Sequence, residues 1–262
     1  QRTPRSTAGS SQPEFVAFHV GQGMCSMLHD THFGVLFDAG AGTPITRGVY
    51  LEGKLTNELK TLVTGLTKIS YMVLSHFDHD HWRMLAWDED LLNKVDTIVV
   101  PDMVTLQGRN LAFFDVKVVK KVKKASSFHI PIDTGTDIQG HRSTPSKSDS
   151  NGECLVCIVK LAGRFGLVPG DYVYSRMRSD KSSVIKSLAT VTYGAVIVPH
   201  HGDVESAKCV PKSAPGGLAF FSAGNHSTWL HPSPASEENH KLAGYTVIQD
   251  NTQSHIVKCK LL

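Results

Sequence analysis

Short apolar runs broken by turn residues open the chain. FVAFHV at 15–20, the run around Cys25 to Leu28, and Val35 to Phe37 are hairpin-spaced, which predicts three strands of one sheet. The pattern then changes period. Leu51, Leu55, Leu59, Leu62 and Leu66 recur every three or four residues, so 50–66 is expected to be one helix laying an apolar stripe on that sheet. Tyr71 to Leu74 is a buried strand by pattern, Trp82 to Asn93 a helix, and Thr97 to Val100 a strand closed by Pro101. Strand, polar loop, helix and strand make a β-α-β layer arrangement.

The later chain is less uniform. Residues 111–125 place Lys117, Lys120, Lys121, Lys123 and Lys124 beside an apolar stripe. They predict a helix with a solvated lysine face, or a basic face that attracts a phosphodiester backbone. Residues 131–153, rich in Ser, Thr, Gly, Asp and Pro, predict a long loop. Two hairpin-like strands follow at 154–161 and 164–168, then a helix at 182–190 and strands at 195–198 and 218–222. A helix at 237–243 and strands at 246–249 and 255–259 complete the pattern. The whole reads as α/β (α+β).

The 262 residues, 40% hydrophobic and 19% charged, suit one large domain with a sizeable core, over 15–262, preceded by a flexible tail at 1–14. That N-terminal stretch lacks an initiator Met and a signal core, and it also fits the cut edge of a longer chain. A net charge of +3 excludes a general polycation, so an anionic substrate would be met by local patches. Five sparse cysteines fit buried thiols in a reducing compartment, hence a cytoplasmic location. Cys154-x-x-Cys157 lies in a strand-like run without a second pair, a weak zinc or redox signal. No apolar run approaches the roughly 20 residues needed to span a bilayer. The glycines near Gly21 and Gly40 match no nucleotide-binding motif.

Candidate chemistry is concentrated at strand ends. His76, Asp78, Asp80 and His81 follow the strand at 71–74 with H-x-D-x-D-H spacing, a donor set suited to a divalent metal, while His79 is expected to point outward. Asp171 lies at a Gly-Asp turn where a ladder stops; a plain turn residue or a carboxylate reaching a metal both fit. His200 and His201 are adjacent at another strand end, so one can ligate while the other contacts substrate or supports the ligands from behind. His226 and His231 follow the strand at 218–222.

VGQG at 20–23, FDAG at 37–40, LSHFDHDH at 74–81, VPGD at 168–171, VPHHG at 198–202 and FSAGNHSTWLHP at 221–232 together resemble the metallo-β-lactamase fold. More narrowly they resemble the metallo-hydrolase domain of ComEC-type DNA-uptake proteins. The resemblance covers about residue 15 to 262 and implies a four-layer αββα sandwich with a metal site on its edge. It implies His76, Asp78, Asp80 and His81 as core metal ligands, Asp171 as a bridging carboxylate, and the last histidine ligand from His200 or His201. Asp38 matches the aspartate that supports the ligands from behind, and Asn151 stands near where ComEC-type chains carry Asn. The chain departs from the broader H-x-H-x-D-H pattern at Asp78, has Met24 where many relatives have Asp, and has Trp82-Arg83-Met84-Leu85 in place of a glycine-rich segment. An oxygen-richer site favours Mn²⁺ or Mg²⁺ more than a three-histidine zinc site would.

The expected function is a hydrolase using one or two divalent ions (Zn²⁺ or Mn²⁺, with Mg²⁺ an option). It would act as a phosphodiesterase or nuclease on DNA, RNA or nucleotides, with Asp80, His226 and His231 as catalytic candidates. Two alternatives stand beside it. One is ester, thioester or lactam hydrolysis on the same fold. The other is a non-catalytic metal-binding subunit of a larger assembly with protein partners, for instance in defence.

Overall fold

The computed structural model describes residues 12–102, 117–146, 149–224, 228–249 and 255–262. Strands β1 (Glu14–His19), β2 (Ser26–His29), β3 (Phe33–Phe37), β4 (Lys68–Val73), β5 (Val95–Pro101) and β6 (Val118–Val122) form a mixed sheet in that spatial order. A second mixed sheet holds β7 (Ser127–Asp133), β8 (Thr136–Arg142), β9 (Leu155–Leu161), β10 (Arg164–Val168), β11 (Tyr193–Ile197), β12 (Ser213–Phe221) and β13 (Thr246–Gln249). The last strand, β14 (Val257–Lys260), returns to pair antiparallel with β1.

Period-2 alternation separates the cores. Phe15 and Ala17 of β1 point between the sheets and meet Leu155, Cys157 and Val159 of β9. Val16 and Phe18 point outward, under helices α1 (Arg47–Glu52), α2 (Glu58–Gly65), α3 (Arg83–Trp87) and α4 (Glu89–Lys94). Helices α5 (Tyr174–Ser179), α6 (Ser183–Leu188) and α7 (Pro234–Leu242) lie on the second sheet, where Met177 and Ile185 pack on Leu167 and Val196. Four layers result, helix, sheet, sheet, helix, as the metallo-β-lactamase resemblance implied.

Four elements differ from the sequence expectation. The helix expected over 50–66 is two helices. Gly53 ends α1 with φ 66°, and Asn57 starts α2 by accepting from the Lys60 amide, which leaves Leu51 exposed. The helix expected from Trp82 is preceded by a 3₁₀ turn, His79–His81, and broken at Asp88, whose carboxylate caps α4 at the Leu91 amide. The helix expected over 111–125 is edge strand β6 where it is described, with 111–116 outside the described residues. Branched Val118, Val119 and Val122 suit a pleated edge, and the exposed Lys120 and Lys121 suit one that must not pair further. The loop expected over 131–153 contains the end of β7 and all of β8, a hairpin turning at Gly135 with φ 107°. Pro131 is tolerated because β7 is itself an edge.

Cys154 and Cys157 are free and buried in different layers, Cys154 beneath the helices and Cys157 between the sheets, so C-x-x-C makes no common site. Cys25 is also buried, Cys259 is half-buried, and Cys209 is exposed, which departs from the expectation of buried thiols throughout. Residues 1–11 of the expected tail lie outside the described residues. Among the described residues, no helix is long and apolar enough to cross a membrane.

Candidate metal centre

The motif between β4 and α3 is held by backbone contacts from two glycine-bearing loops. Asp80 O accepts from the Met24 amide at 3.0 Å, and His81 O accepts from the Ala39 amide at 2.7 Å. Gly40 packs so closely on Asp80 that a Cβ there would lie 1.5 Å from its carbonyl oxygen. The GQG and DAG turns therefore clamp the turn that carries the candidate ligands.

Behind them, Asp38 sits at the end of β3 in the left-handed region, φ 54°, a conformation aspartate tolerates better than most residues. Its Oδ1 accepts the Ser75 amide at 2.7 Å, and its Oδ2 accepts the Ser75 hydroxyl at 2.8 Å. The same Oδ2 lies 2.8 Å from His81 Nδ1. A carboxylate only accepts, so His81 carries its proton on Nδ1 and Nε2 faces inward. Ser75 spends its proton on Asp38, so its oxygen accepts from His76 Nδ1 at 3.1 Å. His201 Nδ1 donates to the Ser222 carbonyl at 2.8 Å. Three imidazoles are thus each tethered at Nδ1 and present Nε2 forward, the arrangement that orients metal-binding histidines.

These nitrogens converge on carboxylates. His81 Nε2 is 3.2 Å from Asp171 Oδ1, His76 Nε2 is 3.6 Å from Asp171 Oδ2 and 3.5 Å from Asp78 Oδ2, and His201 Nε2 is 3.2 Å from Asp80 Oδ2. Two groups are compact enough to hold a cation: His76, His81 and Asp171, and Asp80, His81 and His201. His76 Nε2, His81 Nε2, His201 Nε2 and Asp171 Oδ1 are buried without a hydrogen-bond partner. Four such atoms in one place are costly unless something satisfies them, and their N/O donor set fits a divalent ion.

The electrostatics agree. Burial alone would lower the pKa of His81, yet Asp171 and Asp38 outweigh it and raise it well above the ordinary value. Burial opposes ionisation of Asp171 and Asp80, but the surrounding histidines hold both carboxyls below the usual range. Asp78 is held down mainly by His76. The pocket has an excess of negative charge over positive, a field that attracts a cation.

His200 and His201 differ sharply. Both are left-handed, φ 48° and 55°, a backbone costing on the order of 1–3 kcal/mol each and typical of functional turns. His201 turns into the centre. His200 lies at its rim, with Nδ1 2.9 Å from Asp203 Oδ2 and Nε2 accepting from Asn151 Nδ2 at 3.0 Å. Burial lowers its pKa, but Asp203 and Asp171 raise it by more. Asn151 therefore holds a rim histidine.

His231 lines the open cleft above the centre, a cavity of about 920 Å³ shared with Asp80, Asp171 and His201. Burial, then His201 and His200, lowers its pKa to about 4. His226 lies outside the described residues. His79 is exposed, its ring 4.9 Å from that of Trp82. Sequence reasoning missed Ser75 and Asp203. Ser75 adjoins His76, and Asp203 follows His200 by three residues, a spacing at which a side chain can reach back to the ring.

Among solved structures, the chain is similar to YhfI from Bacillus subtilis, described as a metallo-β-lactamase fold protein. They share 12% identity and a TM-score of 0.54, over 95% of this chain and 100% of that one. The chain adopts the metallo-β-lactamase fold. It is also similar to CmlA, a diiron β-hydroxylase from Streptomyces venezuelae, with 13% identity and a TM-score of 0.50. That match covers 100% of this chain and 55% of CmlA, so the chain spans about half of that protein's length. At such identities the likeness concerns the fold alone, and the ComEC-type resemblance is narrower than it reaches. No family model matches the chain, and no curated protein matches it.

Proposed function

We propose that the chain is a metal-dependent hydrolase of phosphodiester bonds in nucleic acid or nucleotides. The observation that carries this reading is the set of three histidines tethered at Nδ1, with bare Nε2 atoms aimed at Asp171 and Asp80. In this reading His76, Asp78, Asp80, His81, Asp171 and His201 would hold one or two divalent ions. His200 is a rim residue and no ligand. A cation bound there supplies a water acidic enough to attack near neutral pH and takes up charge on the phosphoryl oxygens. The four aspartates Asp38, Asp78, Asp80 and Asp171 balance that positive charge.

The cleft supports an anionic, extended substrate. It is open to solvent, and Arg83 lines it on the side of the H-x-D-x-D-H turn. A histidine with pKa near 4 is neutral at pH 7, so His231 would offer a hydrogen bond to a phosphoryl oxygen, and proton delivery would fall elsewhere. The assay is cleavage of single- and double-stranded DNA and RNA with Mn²⁺, Zn²⁺ or Mg²⁺, comparing the parent with Asp80→Ala. Metal-dependent cleavage by the parent alone is expected. Equal activity in both proteins, or faster turnover of carboxylic esters than of any phosphodiester, rejects the reading.

A further inference from the structure

The mouth of the cleft carries two large apolar side chains that the hydrolytic reading leaves unused. Trp229 is 62% exposed and Leu230 is 73% exposed, and both line the same cavity as Asp80, Asp171 and His201. Leu230 holds φ 51°, a left-handed backbone that disfavours a bulky side chain, so the turn presenting this pair is retained at a conformational cost. Trp229 stays mostly exposed beside His231, and an exposed tryptophan at a cleft edge offers a ligand a broad aromatic contact.

The ring geometry indicates which ligand. The Trp229 indole lies nearly parallel to His231, 21° between planes and 6.5 Å between centroids. His231 lies 5.9 Å from His200 and 6.3 Å from His201. A ladder of rings therefore runs from the open surface to the candidate metal centre. On another wall, Arg83 is anchored by its Nε donating to the His79 carbonyl at 3.2 Å. A planar group meets an aromatic face at one end of this cleft while an anion meets a cation and the metal centre at the other. A nucleobase attached to a phosphodiester has both parts. In a duplex the base faces are already covered by neighbours, so only an unpaired base can use the indole.

We propose that Trp229 is a stacking platform for an unpaired nucleobase next to the phosphodiester at the centre. The chain would then take single-stranded nucleic acid or a nucleotide in preference to intact duplex. This rests on the phosphodiester reading and adds the form of the substrate.

The test is binding of a fluorescein-labelled oligothymidylate, its duplex, and a same-length strand of abasic residues. It is measured with Ca²⁺, a hard cation suited to oxygen-rich sites. Trp229→Ala should weaken single-strand binding by about tenfold, the order of one lost base stack, while Trp229→Phe keeps most of it. Abasic and duplex binding should be weak and insensitive to either variant. Competition by thymidine monophosphate would assign a free nucleotide as the stacked ligand, and its failure the polymer; both support the platform. Unchanged single-strand affinity in Trp229→Ala, an equal loss on duplex or abasic strand, or no binding of any strand overturns it. Cleavage with Mn²⁺ is scored separately. A chain that binds single strands through Trp229 but cleaves nothing loses the hydrolase reading and keeps the platform.

Discussion

Asp38 Oδ2 lies 2.8 Å from His81 Nδ1, on the far side of the imidazole from Asp171 Oδ1, which is 3.2 Å from Nε2. One ring thus links a buried supporting carboxylate to the carboxylate at the heart of the centre. The linkage fixes which nitrogen faces forward and raises the basicity of that nitrogen.

Asp38→Asn should therefore weaken metal binding by about 10–100-fold while leaving every candidate ligand in place. Titration calorimetry with Mn²⁺ and Zn²⁺ measures it. Chelation of the parent should also lower Tm, because a ligand at about 100 times its Kd contributes about 2.7 kcal/mol to the folded state. An Asp38→Asn chain with parental affinity would remove the supporting role.

The two adjacent histidines should separate in a metal-content measurement. His201→Ala is expected to lose bound metal because its Nε2 is bare, whereas His200→Ala should retain it because both of its ring nitrogens are already engaged. Equal loss in both variants would make His200 a ligand.

Gly40→Ala should destabilise the fold, since the new methyl would lie 1.5 Å from Asp80 O and the loops must part to admit it. Overpacking of this kind costs about 1–3 kcal/mol or more. Gly48→Ala is the internal control. It meets nothing within 4 Å inside α1 and should stabilise by roughly 0.5–1 kcal/mol. Chemical denaturation of the two variants with metal chelated compares them directly.

Acid should weaken the fold through His240, remote from the centre in sequence and packed against Phe221. It receives the Tyr174 hydroxyl on Nε2 at 3.0 Å and donates from Nδ1 to Ser236 O at 2.7 Å. Burial lowers its pKa to about 4. Above pH 6.5 the ring is neutral folded or unfolded and contributes no pH dependence. Below it the unfolded chain binds a proton that the folded one refuses until about pH 4, so stability falls over that window by about 3 kcal/mol. His240→Gln should flatten the dependence of Tm on pH between 6.5 and 4, and parallel curves would contradict this.

Legibility followed the strength of the local signal. Strand β13 was bounded correctly because an apolar pair between Thr246 and Gln249 follows a helix stop at Gly244. The residues of β7 and β8 were not, because an edge hairpin with one face in water has the composition of a loop. Its ladder bonds depend on pairing with β9, and that pairing is not written in the local pattern of residues 127–142. At the centre, residue type and strand-end position single out LSHFDHDH and His200-His201 as candidates, whereas Gly170-Asp171 reads equally as a plain turn until the fold brings Asp171 beside His76 and His81.

Residue chemistry alone decided that this chain brings imidazoles and carboxylates to strand ends, because donor identity and spacing are properties of the chain. Folding decided their use. His201 points inward because Ser222 O waits for its Nδ1, and His200 is diverted because Asn151, 49 residues earlier, meets its Nε2. Trp229 lines the same cleft as Asp80, 149 residues earlier, only in the folded chain. Those partners are distant in sequence, and a hydrogen bond acts over about 3 Å of space, whatever the separation along the chain.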